Sequence, residues 1–317
     1  MPEQVILDCD PGHDDAIAIL LAAGSPEIEL LAITTCAGNQ TLEKVTRNAL
    51  AVCAVAGIDQ VPVAAGAAGP LVRRQIVAPE IHGETGLDGP VLPPATRELD
   101  ARHGVDVIID IVMASDPGTV TVVPTGPLTN VALAMRKEPR IVQRVKQLVL
   151  MGGAYTRGNK TPAAEFNIAA DPEAAAAVFG ADWDVTMVGL DLTHQATADA
   201  EIVDRIAAIG SPLADFVVAA LAFFADTYRE QEGFDAPPVH DPCCIAKLID
   251  PAVFETREAF VAVELAGTWT AGMTVTDFGS AYGREHNTHV ATVLDRDRFW
   301  DLTTTAIQRL STSGARS

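Results

Sequence analysis

Four aspartates, Asp8, Asp10, Asp14 and Asp15, fall within eight residues of one another in the segment DCDPGHDDAIAILLA, residues 8–22. An apolar run enters Asp8, Pro11 and Gly12 turn the chain, and Asp14 and Asp15 open an Ala- and Leu-rich stretch that reads as a helix. One carboxylate in a first helical turn is ordinary, because it complements orphan amides and the helix dipole. That accounts for Asp14 or Asp15 but not for four, whose mutual repulsion at the end of a buried strand is costly without a cation. Hard oxygen donors with no His or Cys cluster beside them point to calcium or magnesium rather than zinc, and the number of potential ligands favours calcium.

Three later segments carry polar groups suited to the same kind of site. His240, Asp241 and Pro242 precede an apolar helical stretch; taken alone, Asp241 reads first as an N-cap ahead of a proline at the first helical position. VVPTGPLTN, residues 122–130, leaves a strand through Pro124 and Gly126 and exposes backbone carbonyls such as that of Thr125, which are acceptable calcium ligands. Taken alone, it reads first as an ordinary strand-to-helix turn with Thr129 or Asn130 near the cap. MGGAYTRGNKTPAAEFNIAADPEAA, residues 151–175, combines a Gly pair that permits close backbone approach with Asn159, Glu165 and Asn167, which suit sugar hydroxyls. Phe166 between the last two strengthens a binding role for that loop. His82, in IHGETGLDGP, is either a loop histidine or a contact to a bound ring.

These side chains need a scaffold, and the hydrophobic pattern supplies one. Short β-branched runs at residues 5–8, 28–34, 61–64, 119–123, 147–151, 185–190, 259–265 and 288–294 alternate with helical stretches at 14–23, 42–56, 104–114, 128–137, 172–179, 200–209, 212–230, 242–249 and 296–310. That alternation predicts an α/β fold: one domain over residues 1–317, a central, mostly parallel sheet of the open doubly wound type flanked by helices, and a site at the carboxyl ends of its strands. Residues 66–94, rich in Gly and Pro, read as a long functional loop or lid. The formal net charge of -20 repels nucleic-acid backbones and anionic membranes. Five cysteines without CxxC spacing suggest neither a disulfide framework nor a zinc site, and the absence of a signal-like or membrane-length apolar run fits a cytoplasmic protein.

Taken together, the blocks closely resemble the inosine-uridine-preferring nucleoside hydrolase family. DCDPGHDDAIAI is similar to that family's signature, and ITTCAGNQT (residues 33–41), HGETGLDGP, PTGPLTN, MGGAY, EFNIAADPEAA and HDPCCIA follow in the family's order across essentially the whole chain. The resemblance implies hydrolysis of the ribose–base bond of a nucleoside by a calcium-held water. Asp10, Asp15, Asp241 and the Thr125 carbonyl would bind the ion, with Asp10 also the general base. Asp14, Asn159, Glu165, Asn167 and Asp241 would hold the ribose, with Asn39 and the Met151 backbone nearby and Asp8 in support. His240 would serve the leaving base. His13, His82 and Tyr228 resemble the pyrimidine-preferring branch, which makes uridine and cytidine the expected substrates ahead of inosine. The resemblance also implies a homodimer or homotetramer.

Two rival readings share the acidic motif. A phosphatase of the haloacid dehalogenase kind also places Asp-x-Asp after its first strand, but the small hydroxyl residue it uses after the second Asp is missing, since Pro11, Gly12 and His13 follow Asp10. A calcium-dependent nucleoside-binding protein without turnover is the other.

Overall fold

The computed structural model describes residues 1–313. Nine strands form one sheet: β1 (Glu3–Cys9), β2 (Ile28–Thr35), β3 (Val63–Ala65), β4 (Val120–Pro124), β5 (Gln147–Met151), β6 (Val185–Val188), β7 (Phe254–Val263), β8 (Thr274–Asp277) and β9 (Thr288–Leu294). Their spatial order is β3-β2-β1-β4-β5-β6-β9-β7-β8. All pairings from β3 to β9 are parallel, and β7 joins β9 and β8 antiparallel at one edge. The helices among the described residues are α1 (His13–Gly24), α2 (Leu42–Ala56), α3 (Pro79–His82), α4 (Gly104–Ala114), α5 (Thr129–Lys137), α6 (Phe166–Ala170), α7 (Pro172–Phe179), α8 (Leu190–Thr193), α9 (Ala200–Ala207), α10 (Pro212–Gln231), α11 (Pro242–Ile249) and α12 (Arg296–Ser313).

Both faces of the parallel sheet are covered, which is why its strands read as near-continuous apolar runs. Side chains alternate between faces: Val5, Leu7 and Cys9 of β1 join the core under α1, α10, α11 and α12, while Ile6 joins the core under α4, α5 and α7. Helix α1 is buried on nearly every side, from His13 to Ala22, so its amino end is fixed beneath the sheet edge. Helix starts follow local chemistry. Ser211 accepts the Ala214 N–H and Asp171 accepts the Ala174 N–H, each ahead of a proline in the first turn.

The strand order reverses at β1, whose neighbours are β2 on one side and β4 on the other. Crossovers leave opposite faces there and open a crevice at the carboxyl ends, the place where ligands bind in doubly wound sheets. Asp8 and Asp10 lie at the end of β1, Thr125 follows β4 and Met151 ends β5.

Several short elements lie outside the sequence expectation. Strand β8 is four half-polar residues in a hairpin, too short for a period-two signal, and β7 begins earlier than residue 259, through charged positions. The segment 185–190 ends as a strand at Val188, because Gly189 and Leu190 turn into α8. Within residues 66–94 only the single turn of α3 is helical. No helix among the described residues is long and apolar enough to cross a membrane.

Candidate active site

Three buried carboxylates converge in the crevice. Oxygen atoms of Asp14, Asp15 and Asp241 all lie within 4.8 Å of one another. At that spacing each ionised pair repels by roughly 3 kcal/mol even at an effective dielectric of 20. Burial and mutual repulsion accordingly push these groups toward the protonated state: Asp14 rises to about 7, through burial first and Asp15 second, and Asp241 rises well above the ordinary range. Asp15 is raised by burial although Gly12, Thr125 and Asp10 donate hydrogen bonds to it. Asp241 stands at the start of α11, yet its side chain makes no capping bond. It is spared from helix capping and turned into the crevice. Asp15, in contrast, does cap, accepting the Gly12 N–H at 3.0 Å.

Asp10 stands beside this trio rather than within it. Its Oδ2 accepts the Asn39 N–H at 2.6 Å, while Oδ1 is buried without any protein partner. Two glycines make room for it: a methyl on Gly38 would lie 2.0 Å from Oδ2, and one on Gly126 would lie 2.5 Å from Oδ1. Burial and the Asp15 charge raise its pKa well above the ordinary range. Asp8 sits behind, accepting from Thr34 (2.6 Å) and Asn130 (2.7 Å), with burial raising its pKa to about 6. Carboxylate crowding, an orphaned Oδ1 and an all-oxygen donor set are what a hard divalent cation requires of its host.

The remaining residues singled out in the sequence gather around one cleft. Asp14, Thr125 and Asp241 form its acidic part, with Asn39 beside them donating to Asp15 Oδ2 at 3.2 Å. Thr125 donates its hydroxyl to Asp15 Oδ1 at 2.8 Å, and its carbonyl accepts Asn167 Nδ2 at 2.7 Å. The same amide reaches the Met151 carbonyl at 3.1 Å. Glu165 caps α6: its carboxylate accepts the N–H groups of Gly153, Asn167 and Ile168 between 2.8 and 3.0 Å, and Gly153 adopts φ 76°, a conformation glycine tolerates. Asn159 Oδ1 holds the Phe166 N–H at 2.9 Å, which fixes the turn that carries Phe166 to the cleft.

An aromatic wall adjoins the carboxylates, where the His240 backbone N–H donates to Asp14 Oδ2 at 3.3 Å. Tyr228 Oη is 2.7 Å from His240 Nε2, and His240 Nδ1 is 2.7 Å from Thr193 Oγ1. Burial drives His240 well below 6.5, so the neutral ring is the form present at pH 7. His82 faces the cleft from α3. Of the residues named from sequence, Asp8, Asp10, His13 and Asp15 lie behind the lining rather than on it. Sequence reasoning missed Thr193, which reaches His240 from the unforeseen α8, and Lys160 and Glu80, whose ion pair at 3.0 Å joins the 151–165 loop to α3 at the cleft. It also missed Gln231 and Glu232, the last residue of α10 and the one after it.

A polar cleft floored by buried carboxylates at the switch point of a doubly wound sheet marks a hydrolase-type α/β protein, and comparison with known proteins narrows it. The family model "Inosine-uridine preferring nucleoside hydrolase" matches residues 5–301. The chain is 54% identical over 311 residues to an inosine-uridine preferring nucleoside hydrolase of Leishmania major, covering 98% of this chain and 99% of that one. It is 49% identical over 299 residues to the pyrimidine-specific ribonucleoside hydrolase RihB of Escherichia coli, covering 94% of this chain and 95% of the relative. The purine-preferring ribonucleoside hydrolase from Gardnerella vaginalis superposes with a TM-score of 0.92 at 32% identity, over 98% of this chain and all (100%) of that one. The chain belongs to the inosine-uridine preferring nucleoside hydrolase family. It is an N-ribohydrolase that cleaves the N-glycosidic bond of ribonucleosides, and the phosphatase and non-catalytic readings gain no support. The family is one of metal-dependent hydrolases, and the aspartate cluster can hold a metal ion.

Proposed function

We propose that the protein hydrolyses uridine, with cytidine next and inosine behind, and that the cation at its carboxylates is calcium. The observation that carries the reading is the group of three buried carboxylates within 4.8 Å at the end of a polar cleft. Uridine appears in the name of the inosine-uridine preferring relatives and is a pyrimidine ribonucleoside, the class that the name of RihB gives.

In this reading Asp10, Asp15, Asp241 and the Thr125 carbonyl hold the ion, and the donor set of carboxylates plus one carbonyl favours calcium over softer-liganded metals. When bound, the ion supplies charge compensation and Lewis acidity toward a water. Asp10 takes the proton from the attacking water. Its Oδ1 has no partner within the protein, and the ion, when bound, would hold the carboxylate ionised and able to accept that proton. The water oxygen bonds to the anomeric carbon as the C–N bond breaks, and the bonding pair leaves with the base. Positive charge that develops on the ribosyl group is met by Asp14 and Asp241, fixed in advance of the reaction. Asp14, Asn159, Glu165, Asn167 and Asp241 orient the ribose, with Asn39 and the Met151 backbone at its edge. The departing base takes a proton through the Tyr228–His240 pair, 2.7 Å apart, which solvent in the cleft reprotonates, while Thr193 fixes the other ring nitrogen of His240 at 2.7 Å. Phe166 and His82 flank the bound nucleoside.

Incubating the purified protein with uridine and measuring reducing sugar, with calcium, with chelator, and with calcium restored after chelation, tests the reading. Ribose release that chelation stops and calcium restores is the expected result; release unaffected by chelation overturns the metal assignment, and none under any condition overturns the substrate. The resemblance that supports this activity also supports a homodimer or homotetramer, which light scattering measures directly. Five cysteines, all free and buried, suit a reducing cytoplasm.

A further inference from the structure

We propose that His13 is a positioning residue that fixes the tautomer of His82, so that His82 offers the cleft a hydrogen-bond-accepting nitrogen, Nε2, for a ring N–H of the nucleobase. The inference deepens the proposed function and rests on its placement of a nucleoside in the cleft.

His13 opens α1 and His82 closes α3, and their rings meet nearly coplanar, with planes 20° apart and the two Nδ1 atoms 3.1 Å from each other. One proton must lie between those nitrogens, and its owner follows from the far side of His13. There Nε2 lies 2.8 Å from the Asp88 carbonyl oxygen, which can only accept. His13 Nε2 therefore carries a proton. The ring has no exposed surface and lies between Phe223 and Phe224, with centroids 5.3 and 5.0 Å away, surroundings that favour the neutral form. A neutral imidazole holds one proton, so His13 Nδ1 is a lone pair and the shared proton belongs to His82 Nδ1. His82, neutral and buried in turn, has no proton left for Nε2. The reverse assignment would set two lone pairs against each other at 2.8 Å. The His13 N–H also approaches His82 Nδ1, at 3.5 Å, but this is the longer contact and belongs to a first-turn amide without a helical partner.

The arrangement is held from both ends. Asp88 accepts the N–H groups of Glu84 (3.0 Å) and Thr85 (3.1 Å), which fixes the loop whose carbonyl meets His13. Asn48 donates to the Pro11 and Thr85 carbonyls, both at 3.0 Å, and so ties that loop to the turn after β1. Gly12 leaves the space: a methyl there would lie 2.4 Å from His82 Nδ1. No described protein group pairs with His82 Nε2, and His82 lines the cleft. The chemistry it selects is a base with a ring N–H, such as N3–H of uracil; neutral cytosine, whose N3 is an acceptor, lacks it, so this contact sets uridine ahead of cytidine.

Two measurements on the full-length, calcium-loaded protein test this. Nitrogen NMR of labelled histidine should show His82 with a protonated Nδ1 and an unprotonated Nε2, a pattern that His13→Phe loses. In kinetics, wild type should favour uridine over 3-methyluridine by about tenfold in kcat/KM, the worth of one hydrogen bond whose loss strands a buried acceptor. The preference should shrink in His13→Phe and vanish in His82→Phe. A proton on His82 Nε2 in the wild type overturns the proposal, and so does a preference that survives His82→Phe. The wild-type spectrum decides the tautomer even where a variant fails to fold. The expected spectrum in a protein that leaves uridine intact would uphold the tautomer and defeat the substrate reading instead.

Discussion

Removing the metal should give the protein a stability that falls as pH rises from 6.5 to 8, and restoring calcium should flatten that slope. A carboxylate whose folded pKa lies above its unfolded value binds more protons folded than unfolded, so the folded state loses ground as pH climbs through the folded pKa. Asp14, at about 7, releases its proton inside this window, and Asp10 and Asp241 are pushed up further. Buried histidines act in the opposite sense but at lower pH. Burial depresses His13 and His194 to about 4 and His82 and His240 well below 6.5, so they cost stability only below about 6.5, where the unfolded chain takes up protons they refuse. Above that, the carboxylates act first, joined as pH nears 8 by the five buried thiols, whose raised pKa values add a fall of the same sign with or without calcium. Each proton the folded cluster retains costs about 1.4 kcal/mol per pH unit. With an unfolding entropy of about 2.1 cal/mol/K per residue, that is a fall in Tm of about 2 °C per pH unit for a chain of 317 residues. Bound calcium displaces the protons, so the loaded protein should hold its Tm across the window and the apparent affinity for calcium should rise with pH. Thermal melts in chelator and in excess calcium, at half-unit steps, measure both curves. Parallel curves would refute the argument, because they would mean the cluster carries no protons for the ion to replace.

Asp10→Asn should lower kcat by about 10²–10⁴-fold, the usual contribution of a general base, while the Tm in chelator stays level because the Asp10 carboxyl there already holds its proton; near-normal turnover in initial-rate assays would remove Asp10 from the chemistry. His240→Ala and Tyr228→Phe should each slow uridine more than an aryl riboside whose leaving group needs no proton, and equal losses on both substrates would argue against proton delivery to the base. Gly12→Ala should cost about 1–3 kcal/mol in denaturant melts and raise KM, because its methyl meets His82 Nδ1 at 2.4 Å; unchanged values for both would show that His82 is not held against Gly12.

The scaffold was largely legible because each parallel strand is buried on both faces and so announces itself as an apolar run. Residues 147–151 and 288–294 coincide with β5 and β9. The antiparallel edge was harder to read. β8 has two half-buried residues among its four, and β7 carries Glu255, Arg257 and Glu258 on solvent-facing positions. Helices α6 and α8, of five and four residues, are shorter than the pattern that would reveal them.

Within the site, legibility depended on how far a residue's role can be deduced from its neighbours in the chain. The aspartates around β1 could be read because their crowding is itself the signal, and Asp241 could only be suspected, since a capping aspartate and a crevice aspartate look alike before Pro242. The absence of a capping bond separates the two cases. Glu165 shows the reverse. Its carboxylate caps α6 through two N–H groups and accepts a third from Gly153 while also facing the cleft, so capping and ligand presentation are joined in one side chain and neither excludes the other. Thr193 and His13 mark the limit of sequence reading. A threonine 47 residues before His240 and a histidine 69 residues before His82 become informative only when folding brings them to 2.7 and 3.1 Å, because a tautomer is set by a partner that the local sequence does not contain.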